Sequence, residues 1–146
     1  MSALPIDTKS PVAKRLGYLA LLPFIVGALL VWFVRADARA HVAAALSAYA
    51  AVVIAFLGGV HWGFGFVHAA PAPRLFVWGV VPALVAFVAV LMPPYAGLVI
   101  HGAMLVGCYL VDRNIYPLHG AGRWLVLRFR LSLGASLSCF IGAAGS

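Results

Sequence analysis

The stretch LFVWGVVPALVAFVAVLMPPYAGLVIHGAMLVGCYLV, Leu75 to Val111, runs for 37 residues without one Asp, Glu, Lys or Arg. Its one sharp interruption is Pro93-Pro94. A hydrocarbon core of about 30 Å is crossed by roughly 20 helical residues at ~1.5 Å each. The run therefore holds two crossings, with the proline pair ending one helix and starting the next. These two spans must be antiparallel neighbours, because so short a connection leaves no other arrangement.

Working outward, the remaining apolar runs end at charges and prolines in the same way. Five spans result, at about 16–34, 41–67, 75–92, 95–112 and 124–143. The chain has 146 residues, 65% of them hydrophobic and 9% charged, against about 25% charged in a soluble domain. Continuous apolar runs lack the period-two alternation of barrel strands, and helices satisfy their own backbone groups in lipid. The expected fold is all-α, a polytopic bundle of five membrane-spanning helices over residues 16–146. Residues 1–15, with Pro5, Asp7, Lys9, Pro11, Lys14 and Arg15, read as a polar cytoplasmic tail. Ala38-Arg39-Ala40 resembles a leader cleavage site, but the preceding uncharged run is too long for a leader and Arg35 interrupts the approach.

The net charge of +7 does not point to nucleic acid, because the basic residues sit at span ends. They set topology and meet anionic lipid. With the N-terminus inside, that side collects Lys9, Lys14, Arg15, Arg74, Arg113, Arg123, Arg128 and Arg130, against Arg35 and Arg39 opposite. Eight against two is a positive-inside pattern that places the N-terminus in and the C-terminus out. Tyr18, Trp62, Trp78 and Trp124 near the basic side, and Trp32 and Tyr95 near the other, fit interfacial anchoring. The fifth span is shortened by Arg128 and Arg130, so either both snorkel inward or the helix begins as an interfacial turn.

Span two carries a small residue at every fourth position: Ala43, Ser47, Ala51, Ala55, Gly59 and Gly63. Gly134, Ser138, Gly142 and Ser146 repeat the pattern on span five. Such rows serve close helix packing, so Ala51, Ala55, Gly59 and Gly63 are expected against Gly134 and Ser138.

His61 lies in Phe56-Leu57-Gly58-Gly59-Val60-His61-Trp62-Gly63-Phe64-Gly65, about six residues or ~9 Å from the basic end. An ionisable group at that depth is a functional candidate, with a plain interhelical hydrogen bond as the alternative. On span four, His101, Cys108 and Asp112 fall within about 40° of one another, with Tyr109 beside them. Asp112 needs a cationic partner at its own depth, and Arg128 or Arg130 supplies one. Together His61, Trp62, Tyr109, Asp112 and Arg128 form a candidate polar pocket.

No metal site, cofactor or catalytic residue is assigned. His61 and His101 differ in depth by about 12 Å, too much for two ligands of one haem. Neither zinc-ligand spacing nor a nucleotide or nucleophile motif is present. Cys108 and Cys139 have no C-x-x-C spacing.

Several of these pieces also occur together elsewhere. Gly17-Tyr18-Leu19-Ala20-Leu21-Leu22-Pro23-Phe24, Tyr49, the Phe56 to Gly63 string, Pro82, Tyr109 to Asp112, and Trp124 with Leu127-Arg128 resemble the family of domain of unknown function 3429. That bacterial and mitochondrial family has animal members called transmembrane protein 69. Over about Leu16 to Ser138, the resemblance implies a small polytopic inner-membrane protein, mitochondrial in a eukaryote, with no established reaction.

The expectation is a protein without enzymatic turnover, an accessory or assembly partner of a larger membrane complex such as a respiratory one. Its partners would be the lipid bilayer, other membrane proteins and further copies of itself, with no nucleic acid. The alternative is a binding or transport protein whose polar pocket takes a quinone, a lipid head group or a proton.

Overall fold

A computed structural model describes residues 10–146. Among these residues it contains helices and no strand, and five helices are long and apolar enough to cross a membrane. They are α1 (Pro11–Phe33), α2 (Ala36–Phe66), α3 (Pro73–Leu91), α4 (Pro94–Ile115) and α5 (Leu125–Gly145).

The helix ends are set by capping chemistry rather than by hydropathy. Ser10 accepts a hydrogen bond from the Ala13 N–H at 3.4 Å, and Pro11 occupies a first-turn position where no N–H is missed. Helix α1 therefore starts at Pro11, so residues 11–15, expected in the polar tail, are helical; the rest of that tail, residues 1–9, lies outside the described residues. Helix α2 begins at Ala36 rather than His41, because the extended backbone of Arg35 is already the cap. Its 31 residues make it about 46 Å long, so it tilts or projects beyond the hydrocarbon. At the other end of α4 the chain tightens into a 3₁₀ turn, Tyr116–His119, which Gly120 closes with φ of 74°. A second 3₁₀ turn, Gly122–Trp124, leads into α5. Of the two basic residues near the start of α5, Arg128 is buried and Arg130 is exposed.

Each helix reverses the direction of the one before it, so α1 and α5 run parallel. Their contacts rise together: Gly17 lies by Leu131, Gly134 by Leu21, and the Trp32 indole donates to the Ile141 carbonyl at 3.0 Å. The most extensive interfaces are α2 on α3, α4 on α5 and α1 on α5. Contact between α2 and α5 is slight, which corrects the expectation that their small-residue rows meet.

The row on α2 leaves the interface as it climbs. Ala43 and Ser47 are buried, Ala51 and Ala55 are half-buried, and Gly59 and Gly63 are exposed. A step of four residues advances about 40° beyond a full turn, so five steps carry the row round to the outside. Gly59 and Gly63 have no neighbour within reach of a Cβ. The glycine that brings α2 close to α3 is Gly58: a Cβ there would run into the carbonyl oxygen of Gly79, and one on Gly79 into the Trp62 ring. On α5, Gly134 faces Leu21 of α1, while the buried Ser138 hydroxyl donates back to the Gly134 carbonyl at 2.8 Å.

The interior is small, formed by Phe24, Val31, Leu46, Ile54, Leu98, Leu105 and their neighbours. Around it Leu19, Leu29, Phe33, Phe56, Phe87 and Leu91 point outward, Phe33 at 80% exposure. An apolar surface so continuous is stable only against lipid. The protein is an integral membrane protein.

The two kinds of glycine on α2 and α3 should respond oppositely to a side chain. Gly58→Val or Gly79→Val overpacks the α2–α3 contact and is expected to cost about 1–3 kcal/mol. Gly59→Ala or Gly63→Ala adds a methyl on the open face and should leave stability unchanged or raise it by up to about 1 kcal/mol. Thermal unfolding in detergent, followed by circular dichroism, separates the two.

Candidate functional site

Three helices place polar side chains at one level near the basic end. His61 on α2 is 1% exposed, Asp112 on α4 is 1% exposed and Arg128 on α5 is 9% exposed. The position of Asp112, about one turn before the end of α4, and of Arg128, about one turn into α5, brings carboxylate and guanidinium together across the connecting 3₁₀ turns. His61 Nε2 donates to Asp112 Oδ1 at 2.7 Å. Arg128 grips the other oxygen: Nε donates to Oδ2 at 3.1 Å, and a terminal nitrogen donates to the same atom. The remaining Arg128 nitrogen donates to the Ser132 hydroxyl at 2.8 Å.

This array satisfies the carboxylate on both oxygens with charged or polar donors. A lone charge in hydrocarbon is expensive, and here Arg128 neutralises it while His61 contributes an N–H. The carboxylate fixes which imidazole nitrogen carries the proton, since only an N–H at Nε2 can face Oδ1.

The other imidazole nitrogen is the unusual atom. His61 Nδ1 is buried and has no hydrogen-bond partner. His61 lines a cavity of about 150 Å³ between α2, α3 and α4, whose walls include Arg74, Leu75, Trp78 and Val111. On the far side of the array, Arg128 and Ser132 line a second, apolar cavity of about 80 Å³ with Phe24, Leu57 and Leu105. The hydrogen-bonded chain from His61 to Ser132 thus runs between two cavities on different sides of the bundle.

Of the five residues expected to form one pocket, His61, Asp112 and Arg128 are hydrogen-bonded together. Trp62 and Tyr109 are not part of the group. The Trp62 indole turns to α3, donating to the Phe76 carbonyl at 2.9 Å with the two rings edge to face at 5.4 Å. Tyr109 is half-buried against Phe129, with ring centroids 5.4 Å apart. The sequence reading missed Ser132, Arg74 and Trp78. Ser132 was recoverable, because it lies four residues after Arg128 on the same helix face; the α3 residues carried no such signal.

His101 belongs to a separate group. The Ser47 hydroxyl donates to its Nδ1 at 3.2 Å, and its Nε2–H donates to the Ala86 carbonyl at 3.2 Å. Both nitrogens are used, so His101 ties α2, α3 and α4 together and offers nothing further. Ser47 and His61, the α2 ends of the two groups, are fourteen residues or about 21 Å apart along the helix. One haem does not bridge that separation. Among the described residues no three His, Cys, Asp or Glu side chains gather as metal ligands would.

Removing one member of the ion pair should be far worse than removing both. Asp112→Leu leaves Arg128 buried without its counter-charge and is expected to lower stability by about 3–5 kcal/mol, whereas adding Arg128→Met recovers most of the loss. A double-mutant cycle of unfolding in detergent measures the difference.

No curated protein and no solved structure matches this chain. A family model does, that of the protein of unknown function DUF3429, over residues 10–144. The match takes in every helix and both sides of the buried array, and the chain belongs to this family.

Proposed function

We propose that this protein binds a membrane-soluble ligand at His61, with the imidazole Nδ1 as the polar contact and Asp112 as its support. The observation that carries the reading is the unpartnered, buried Nδ1 of a residue that lines a cavity. Leaving a buried polar atom unpaired costs about 1–3 kcal/mol, and an incoming hydroxyl or N–H removes that penalty. The cavity walls are Leu75, Trp78, Val111 and Ile115, with the Arg74 side chain among them. Apolar and aromatic walls with few convergent polar groups are the usual make-up of a small-molecule site. Of the ligand classes considered, a ring bearing a hydroxyl, as in the quinol form of a quinone, fits best. Its hydroxyl donates to Nδ1, which carries no proton while Nε2–H faces Asp112. The role is binding rather than turnover.

The basic end of the bundle, on this reading, faces the cytoplasm or the mitochondrial matrix, with the N-terminus in and the C-terminus out. The support is the excess of Lys and Arg at that end. The family resemblance read from the sequence implies the inner membrane of a bacterium or mitochondrion. A second reading, the accessory or assembly partner of a larger membrane complex, draws on the outward-facing Gly59 and Gly63, which leave a smooth strip on α2 where a helix of another protein packs closely.

His61→Gln tests the first reading cleanly. The glutamine amide replaces the N–H donated to Asp112 and has nothing at the Nδ1 position. The variant should melt within a few degrees of the wild type and bind decyl-ubiquinol at least tenfold more weakly, read by quenching of tryptophan fluorescence in nanodiscs. Equal binding by both proteins rejects the site. For the second reading, Gly59→Leu with Gly63→Leu should convert any heavy species on blue-native gels of mild detergent extracts to the free chain; an unchanged heavy species places the contact elsewhere.

A further inference from the structure

The basic end carries a second feature, independent of His61. The first turns of α1 and α5 stand side by side there, because the two helices run parallel. Between them lies a cleft of about 250 Å³ lined by Ser10, Lys14, Tyr18, Arg123, Trp124 and Arg130. Ser10, Lys14 and Tyr18 are spaced four residues apart and share one face of α1. Arg123 and Trp124 come from the 3₁₀ turn and Arg130 from α5.

Three cations and two helix N-termini meet in this cleft, and among the described residues no acidic side chain lines it. Neither helix has an acidic residue in its first turn, and α5 has no side-chain cap. The carboxylates among the described residues are engaged elsewhere, Asp37 with Arg35 at 3.4 Å and Asp112 in the buried array. The N-terminal ends of helices add positive potential of their own.

From this arrangement we infer that the cleft between α1 and α5 binds the phosphate of an anionic phospholipid. Two features favour a lipid over a free phosphate. Tyr18 and Trp124 belong to the residue types that settle at the head-group level. Val126 and Leu127 also line the cleft, Val126 at 63% exposure, which sets apolar surface for an acyl chain beside the cations.

The test compares lipids by native mass spectrometry of the full chain released from detergent. Wild type should retain phosphatidylglycerol and not phosphatidylcholine, and phosphatidylglycerol should raise its melting temperature. Each cation contributes about fivefold to anionic-lipid affinity. Arg123→Ala with Arg130→Ala should therefore weaken retention about twenty-five-fold and abolish the thermal shift, with the lipid-free melting temperature unchanged. Arg15→Ala with Arg113→Ala removes the same charge at the same end but outside the cleft, and should leave retention intact. Equal loss in that control, equal retention of phosphatidylcholine, or displacement of the lipid by millimolar inorganic phosphate would overturn the inference.

Discussion

A single carboxylate in hydrocarbon organises the bundle. Asp112 is buried, and its two oxygens are shared between His61 on α2 and Arg128 on α5. Helices in lipid gain little from apolar contact with one another, since lipid tails are as apolar as leucine. Packing alone therefore tolerates sliding by a turn, whereas a buried charge does not: a shift of one turn, about 5.4 Å, pulls the carboxylate off both donors. The array thus fixes the relative height of α2, α4 and α5 at the basic end.

The second polar group does the same nearer the other end. His101 on α4 is bonded to Ser47 on α2 and to the Ala86 carbonyl on α3. Helices α2 and α4 run parallel, so two bonds at different heights fix their rotation as well as their register. With α2 and α4 held, the close contact of Gly58 with Gly79 sets how near α3 approaches. Helix α1 has the lightest ties, the Tyr49 hydroxyl to the Ala20 carbonyl at 2.6 Å and the Trp32 indole to Ile141. It is also the helix that borders both the 80 Å³ cavity beside Arg128 and the basic cleft.

Much of this was legible because lipid imposes simple rules. An uncharged run and a proline pair are enough to place α3 and α4, and depth alone selects an arginine on the fifth span as the counter-charge for Asp112. Hydropathy marks where lipid lies, however, and not where backbone hydrogen bonding stops, so α1 and α2 begin five residues earlier than expected. Small-residue spacing was misleading for a geometric reason. A strict four-residue row precesses, and by Gly59 it has turned away from the interface. The better guide on α2 was His61 itself: a residue that must be buried fixes the inward face, and Ile54, Leu57, Gly58 and Gly65, at helical spacing from it, are all buried. That α2 pairs most extensively with α3 was beyond reach, because the two meet through glycines that carry no pattern.

The choice of side chain at position 61 connects architecture to binding. Register alone requires one N–H aimed at Asp112, which an amide supplies. Imidazole brings a second nitrogen that the packing does not use, on a residue that lines a cavity. His101 makes the contrast within the same chain, since both of its nitrogens are satisfied by protein. A histidine with both nitrogens bonded is a strut. One nitrogen bonded to a carboxylate and the other left free makes a strut with a spare acceptor. On the proposed reading, a hydrogen bond taken up at Nδ1 would pull on the ring that Asp112 holds, and through Asp112 on Arg128, so a ligand at His61 would be coupled to the interaction that sets the height of α5.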